Sequence, residues 1–150
     1  MWVGHGFGLG AWRRTEREQA MAVFTDAERE YLAGQWLARL ATASADGQPD
    51  VSAVGFSVDG DTIVSGGLDL TKTVRYRHLQ SNPRASLVVD DLASVEPWRP
   101  RGVKVRGRAT LEDDGGKPRI RIKPDTVWSW GINEGAPRHF AGRIEKRRVS

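Results

Sequence analysis

The chain has 150 residues, of which 39% are hydrophobic and 28% are charged, and its formal net charge is +4. This composition is typical of a single folded domain with a modest core; it excludes a disordered chain, and no run is apolar for long enough to span a bilayer. The lack of cysteine excludes disulfides and thiolate chemistry, and the three scattered histidines argue against a metal site. This composition favours a cytoplasmic protein.

Charge is unevenly distributed along the chain. Residues 1–97 hold 9 Lys+Arg and 13 Asp+Glu, a net of −4, whereas residues 98–150 hold 14 and 6, a net of +8. A basic second half predicts an anionic partner, such as nucleic acid, a phosphate group or a polycarboxylate tail. Charge alone does not choose among these partners.

The first 20 residues differ in composition from the rest. Glycine recurs at positions 4, 6, 8 and 10 and is followed by a charged stretch, without the basic and then apolar pattern of a secretory signal. We therefore expect residues 1–20 to be a disordered extension and residues 21–150 to form one folded domain. In the alternative interpretation, Trp2, Phe7 and Trp12 dock on a partner.

A helix and a three-stranded meander are predicted next. Thr25 or Asp26 can cap a helix that ends near Ala33. Strands are expected at residues 37–44, 51–58 and 62–65, where apolar and β-branched residues recur between turns rich in Gly, Asp and Pro. Small side chains share one face of the middle strand, which either packs closely inside a barrel or leaves room for a flat ring. They are Val51, Ala53, Gly55 and Ser57.

Residues 65–84 combine a strand end, two glycines and a helix start. Gly66 and Gly67 let the backbone approach a ligand closely, and the first turn of the helix is expected to carry Lys72 and Thr73. Because a helix start has unpaired N–H groups and a partial positive charge, this stretch is a candidate phosphate site. The alternative is an ordinary capped helix with a solvated lysine.

The second half of the chain predicts further strands. Residues 85–89 are apolar throughout, as in a central strand, and residues 103–112 alternate between apolar and polar or charged side chains. A loop is expected at 90–100, another alternating strand at 119–123 and a last strand at 141–144. Six or seven short antiparallel strands with a few short helices predict a mainly β protein that closes into a barrel.

A row of basic residues on two of these strands offers a second interpretation of the charge. Small barrels often bind nucleic acid, but no aromatic side chain is expected on the same strands, because Trp98, Trp128 and Trp130 are predicted to lie outside them. A solvated or subunit-facing row is therefore preferred over a nucleic-acid site. The row comprises Lys104, Arg106, Arg108, Arg119, Arg121 and Lys123.

No side chain stands out as catalytic. The sequence has no nucleophile-elbow, Rossmann or Walker pattern, and its acidic clusters are predicted in turns, where acids are common. His78 is expected on a helix surface or at an interface rather than as a ligand or base. A chain with a phosphate site and no catalytic side chain is typical of a protein whose cofactor carries the chemistry.

Four short motifs, in this order, resemble those of the pyridoxamine 5′-phosphate oxidase-like split-barrel family. They are the strand 51–58; a strand that ends at Ser65-Gly66, followed by Lys72 and Asn82-Pro83-Arg84; Arg101-Gly102-Val103-Lys104-Val105-Arg106-Gly107; and Arg121-Ile122-Lys123-Pro124 with Val127 and Trp130. The resemblance covers residues 25–146. Within the family, residues 68–73 (LDLTKT) and 128–131 (WSWG) look like the branch that uses the 5-deazaflavin coenzyme F-420.

The resemblance implies that residues 21–150 form a split β-barrel, a cofactor-binding domain that dimerises with two cofactor sites at the subunit interface. The cofactor ring would lie on the backbone of Ser52, Ala53 and Val54. Its phosphate would be held by Ser65, Gly66, Lys72 and Thr73. The partner subunit would contribute Trp98, Arg101 and Val103, and Trp130 would approach the same pocket.

By the same resemblance, the chain is expected to move a hydride between reduced coenzyme F-420 and a small conjugated organic substrate. Gly102 stands where flavin-binding members carry a glutamine, which favours the deazaflavin over FMN as cofactor. An FMN-binding oxidoreductase of the same fold remains the alternative. A third interpretation is a non-catalytic barrel that binds a cofactor or nucleic acid.

Overall fold

The computed structural model describes residues 22–133 and 144–150, together with Thr15 and Arg17. The disorder expected of residues 1–20 therefore falls outside the described residues, apart from these two. No helix in the described part is long and apolar enough to cross a membrane. The elements in chain order are α1 (Asp26–Ala33), β1 (Leu37–Ala43), β2 (Pro49–Gly55), β3 (Ser57–Asp59), β4 (Thr62–Ser65), a 3-10 turn (Leu70–Lys72), α2 (Val74–Ser81), β5 (Arg84–Ser94), β6 (Arg99–Asp114), β7 (Lys117–Trp130) and β8 (Glu145–Arg148).

All the strands of the described residues belong to one antiparallel sheet in the order β2–β1–β5–β6–β7–β4–β3, with β8 on β7. One side of β7 pairs with β6; the other pairs with β4 at residues 120–122 and with β8 at residues 126–129. The predicted mainly β fold is confirmed, with eight strands in place of six or seven. The extra strand arises because the predicted strand 51–58 divides at Phe56: β2 pairs with β1, whereas β3 pairs with β4.

The core follows from the two-residue period of the strands. Leu40, Leu87, Val105 and Val127 are register partners across β1, β5, β6 and β7, and each is at most 1% exposed. Their neighbours along the strands point to the opposite face, which carries the charged and aromatic side chains. The sheet therefore presents one packed face and one face that is open for binding.

Helix α1 begins with a capping box. The Thr25 hydroxyl accepts a hydrogen bond from the Glu28 amide (3.1 Å), and the Glu28 carboxylate accepts one from the Thr25 amide (3.0 Å). Glu28 is completely buried, and both of its oxygens also accept hydrogen bonds from the guanidinium of Arg147 on β8. Arg147 donates a further bond to the Val23 carbonyl (2.5 Å). One buried ion pair thus ties the start of α1 to β8.

The loop predicted at 90–100 is wrong in its extent. Strand β5 runs on to Ser94 and β6 starts at Arg99, so only residues 95–98 connect them. Asp90 and Asp91 continue the strand pairing opposite Gly102 and Arg101, and the Asp91 carboxylate also forms an ion pair with Arg101, whereas the contact of Asp90 with Arg39 is exposed.

Two other boundaries differ from the predictions. Strand β7 continues through Pro124 to Trp130, with Asp125 as an extra residue opposite Arg106 and Gly107. Gly107 is needed here, because a Cβ would overlap the Lys123 carbonyl oxygen. The last strand is β8 at Glu145–Arg148 rather than 141–144, of which Ile144 is outside any strand and residues 141–143 lie outside the described residues.

Candidate functional site

The glycine turn after β4 is built on a buried serine. The Ser65 hydroxyl is 1% exposed and donates to the Gly55 carbonyl oxygen (2.8 Å), which joins this turn to the end of β2. Gly67 has a φ of 138°, and Asp69 adopts the left-handed region with a φ of 50°. The Ser65 hydroxyl thus shapes the turn, while the backbone of the turn stays open to a ligand.

The helix start lies one step later than predicted. Thr73 is the N-cap of α2: its hydroxyl accepts from the Tyr76 amide (3.3 Å) and donates to the Leu70 carbonyl (2.6 Å). Lys72 therefore belongs to the preceding 3-10 turn and is exposed, instead of lying in the first turn of the helix. Lys72 is two positions before Val74, the first residue of the helix.

Two arginines that the sequence analysis missed lie beside the glycine turn. A Cβ built on Gly66 would be 2.8 Å from Nη1 of Arg119, and one on Gly67 would be 2.9 Å from Nη2 of Arg75. The Nε of Arg75 is buried and has no hydrogen-bond partner in the described part of the chain. Pairing of β4 with β7 brings Arg119 here, since Ser65 is the register partner of Ile120.

We use the name cationic cradle for Arg75 and Arg119, which lie beside Gly67 and Gly66, together with Lys72 in the 3-10 turn that follows. None of the three cations makes an ion pair with another described residue. Nη1 of Arg119 also donates to the Pro118 carbonyl oxygen (2.9 Å). Cations without a carboxylate partner bind phosphate well, because charge-assisted hydrogen bonds are the strong ones. The cradle suits an anion of that kind.

A second concavity, of about 880 Å³, opens beside β5, β6 and β7. It brings together three of the predicted site residues, Trp98, Arg101 and Trp130, and we call it the aromatic pocket. Trp98 is 55% exposed, which leaves its indole available to a ligand. The remaining lining residues are Arg39, Asp90, Asp91, Leu92, Pro100, Lys104, Trp128 and Ile144.

The indole of Trp130 lies against the backbone of β6 at Gly102. Gly102 and Trp130 are register partners, and a Cβ on Gly102 would overlap Cζ2 of the indole and lie 2.7 Å from its Cε2. The same Cβ would lie 2.9 Å from the carbonyl oxygen of Val89. Gly102 is therefore required for the indole to lie where it does, and Trp130 forms a wall of the aromatic pocket.

A hydrogen-bond network fixes Arg101 in this pocket. The Asp91 carboxylate accepts from Nε (2.8 Å) and Nη2 (2.5 Å) of Arg101 and from the Tyr31 hydroxyl (2.9 Å). These bonds, with that of Arg101 first, hold the pKa of Asp91 below its ordinary value, and Asp91 in turn raises the pKa of Arg101. Burial and the bond to Asp91 raise the pKa of Tyr31 well above 10, so Tyr31 remains a hydrogen-bond donor.

The other predicted site residues lie elsewhere. Ser52, Ala53 and Val54 are on β2, an edge strand of the sheet, where Ala53 is exposed and Val54 is buried. They lead to Gly55 and so to the glycine turn, but β1 and β5 separate them from β6 and the aromatic pocket. The side chain of Val103 is fully buried in the core, which leaves only its backbone for a ligand.

The basic row is more mixed than the sequence suggests. Arg121 pairs with Glu112 and Asp59, both at 2.8 Å. The prediction that no aromatic lies among the strands is wrong: Trp128 is on β7 as the register partner of Lys104, whose Nζ is 4.2 Å from the centre of an indole ring. The error arose because the predicted strand ended before Pro124, whereas β7 continues through it to Trp130.

His78 is half-buried, and its Nδ1 lies 3.0 Å from the Thr42 hydroxyl.

Comparison with known proteins supports a redox role. The chain is 35% identical over 119 residues to a 5a,11a-dehydrotetracycline/5a,11a-dehydrooxytetracycline reductase of Streptomyces rimosus, covering 73% of this chain and 84% of the relative. A conserved hypothetical protein of Mycobacterium tuberculosis shares the fold with a TM-score of 0.63 and 20% identity, over 83% of this chain and 96% of that one. An F-420 reductase structure matches with a TM-score of 0.54 and 22% identity, over 65% and 94% of the two chains.

The family itself is shown by a sequence model. The model described as pyridoxamine 5′-phosphate oxidase matches residues 24–130, which include β1 to β7, the glycine turn and Trp130. This range contains all eleven positions predicted to contact a cofactor, and the resemblance drawn from the motifs is confirmed. With its antiparallel split-barrel sheet and this match, the chain belongs to the pyridoxamine 5′-phosphate oxidase family.

Proposed function

We propose that this protein is an oxidoreductase that moves a hydride between reduced coenzyme F-420 and a small conjugated organic substrate. The observation that carries the proposal is the cationic cradle: three cations without an ion-pair partner in the described part of the chain, two of them beside the glycine turn, which Ser65 joins to the edge strand β2. Such an arrangement suits a phosphorylated cofactor whose ring extends along β2.

The residues present fit that cofactor. The buried Nε of Arg75, which has no partner in the described part of the chain, marks a place where an acceptor oxygen would be favourable. Lys72, Arg119 and the Thr73 region would hold the phosphate, and the backbone of Ser52 to Val54 would support the ring. When bound, the deazaflavin supplies the hydride, while these residues set its distance and face and limit its contact with water.

We further propose that two chains associate so that the aromatic pocket of one faces β2 of the other. Large apolar side chains are exposed on β1 and β2 and before β1: Trp36 is 88%, Leu37 53% and Val51 66% exposed. Burial of such a group against a second copy is favourable. In this arrangement Trp98, Arg101, the backbone of Val103 and Trp130 would complete the partner's cofactor site.

The substrate proposal rests on the aromatic pocket and on the reductase relative. A pocket of about 880 Å³ with three indoles suits a flat, conjugated molecule. The reductase from Streptomyces rimosus carries the name of such a substrate. We therefore choose 5a,11a-dehydrooxytetracycline as the first compound to assay with reduced coenzyme F-420.

FMN is the alternative cofactor, because the cradle would accept its phosphate equally well. The wall formed by Trp130 on Gly102 supports the deazaflavin, since it occupies the space of a side chain at position 102. Nucleic acid is the alternative for the basic row, and the contact of Lys104 and Arg106 with Trp128 is what favours it.

One titration series separates these proposals. Oxidised coenzyme F-420 and FMN are each titrated into the protein and followed by their own fluorescence, with Lys72→Ala and Arg119→Ala as test variants. Lys123→Ala is the matched control, because Lys123 is an exposed cation on β7 outside the cradle. Loss of one charge-assisted phosphate contact should weaken F-420 binding roughly 10- to 100-fold in the test variants, and Lys123→Ala should bind as the parent does.

Other outcomes would redirect the proposal. Tight binding of FMN alone would support the flavin alternative. Failure to bind either cofactor, together with salt-sensitive binding of an oligonucleotide that Arg106→Ala abolishes, would favour nucleic acid.

A further inference from the structure

Arg101 is the most tightly fixed cation of the aromatic pocket. Its Nε and Nη2 both donate to Asp91, and its guanidinium lies 5.2 Å from the centre of the Tyr31 ring. Tyr31 and Gln35 hold Asp91 in turn, with donor–acceptor distances of 2.9 and 3.4 Å. A carboxylate held by donors from α1, from the turn after α1 and from β6 has little freedom to rotate. It therefore restricts the orientation of the Arg101 guanidinium.

This geometry uses one edge of the guanidinium and leaves the other free. Nη1 of Arg101 has no hydrogen-bond partner among the described residues, and the side chain is 35% exposed at the pocket. Because Asp91 neutralises most of its charge, Arg101 offers directed N–H groups rather than an uncompensated cation. Such a donor suits a single charged oxygen such as an enolate, whereas the cations of the cradle suit a phosphate.

The neighbouring cation of the pocket differs in kind. Arg39 reaches Asp90 through a single contact of 3.0 Å, and the two side chains are 47% and 50% exposed. A pair so exposed contributes little and holds neither group in one place. The contrast singles out Arg101 as the positioned donor and provides a natural control.

We propose that Asp91, supported by Tyr31, is a positioning residue that holds the free edge of Arg101 toward the pocket, so that the pocket prefers flat conjugated ligands bearing an ionised enolate oxygen. The proposal rests on the proposed function in treating that ligand as the substrate. Trp130, which lies against Gly102, supplies an aromatic surface, and Arg101 supplies the contact that distinguishes a ring with an ionised enolate oxygen from its neutral counterpart.

The test compares two probes of similar shape. 2-Hydroxy-1,4-naphthoquinone carries an enolate oxygen at neutral pH, and 1,4-naphthoquinone lacks it; the chain has no cysteine with which either could react. Dissociation constants are measured by calorimetry on the full chain, and the readout is the ratio of the two constants. We expect the parent to prefer the hydroxylated probe by about tenfold, the size of a hydrogen bond to a charged group.

The variants separate positioning from general charge. Arg101→Met should abolish the preference, and Arg101→Lys should not restore it, because an ammonium cannot keep both contacts of the planar fork. Asp91→Asn should reduce the preference about threefold or more. Tyr31→Phe, which keeps the ring, should reduce it by about twofold.

Asp90→Asn removes the same charge one position away and measures what the loss of charge does by itself: it should favour the anionic probe, so the preference should not fall as it does in Asp91→Asn. Equal binding of the two probes, no binding of either, or an equal effect of Asp90→Asn and Asp91→Asn on the ratio would overturn the inference. Titration of coenzyme F-420 into the parent protein reports separately on the proposed function. Failure of the parent to bind F-420, with its probe ratio as expected, would overturn the cofactor assignment alone.

Discussion

Replacement of Gly102 by alanine tests how the aromatic pocket is built. The new Cβ would overlap Cζ2 of Trp130 and lie 2.9 Å from the Val89 carbonyl oxygen. The carbonyl belongs to β5, which is hydrogen-bonded to β6, so it has little room to move. The indole is the softer neighbour, and we expect it to leave its place on the strand.

The size of the effect follows from these contacts. Overpacking of this kind costs about 1–3 kcal/mol, and for a chain of 150 residues each kcal/mol corresponds to about 2–4 °C in Tm. Gly102→Ala should therefore lower Tm by roughly 2–12 °C. Displacement of Trp130 should also cost a stacked ligand about 0.5–1.5 kcal/mol, or roughly 2- to 12-fold in affinity.

A double-mutant cycle checks the reasoning. Urea unfolding of the parent, Gly102→Ala, Trp130→Ala and the double variant is followed by circular dichroism, which does not depend on the indole. If the clash with Trp130 dominates, the alanine should cost at least about 1 kcal/mol less once the indole is gone, with a remainder from the Val89 carbonyl. An equal cost in both backgrounds would refute the contact as the reason for glycine.

Two further predictions concern stability. Arg147→Met leaves the buried Glu28 without a counterion and should lower the free energy of unfolding in urea by about 3 kcal/mol. This value is near the low end for such pairs because Arg147 is partly exposed. Addition of Glu28→Gln should recover part of the lost stability. The hydrogen-bond network of Asp91 and Tyr31 should make Tm fall both at acid pH and at alkaline pH. The pKa of Asp91 is lowered, so its contribution is present above the unfolded value near 3.9 and is lost as pH falls; the pKa of Tyr31 is raised, so its contribution is present below pH 10 and is lost as pH rises. Asp91→Asn should flatten the acid slope and Tyr31→Phe the alkaline one, and unchanged slopes would contradict the network.

Local pattern predicted most of the fold because it reports burial directly. The alternation of 103–112 and the apolar run 85–89 identified β6 and β5, since one face of each strand is packed. Pattern failed where a partner far along the chain decides the outcome. Asp90 and Asp91 are typical loop residues, and their place in a strand depends on pairing with Gly102 and Arg101 of β6 and on the ion pair of Asp91 with Arg101.

The site was predicted less completely than the fold for the same reason. Lys72 and Thr73 are adjacent to the glycines in the sequence and could be recognised. Arg119 reaches Gly66 only through the pairing of β4 with β7, and a one-residue change of register would point it away. The one sequence signal that could have identified Arg119 is that a glycine turn able to bind an anion is expected to have a basic residue opposite it.

The Glu28 carboxylate has a consequence for how the native protein opens. It accepts hydrogen bonds from the amide that starts α1 and from an arginine 119 positions later, on β8. Neither element can detach without exposing or stranding the same buried charge. In native-state hydrogen exchange, the amides of α1 and β8 should therefore open with a common free energy, as one exchange unit assembled from distant parts of the chain.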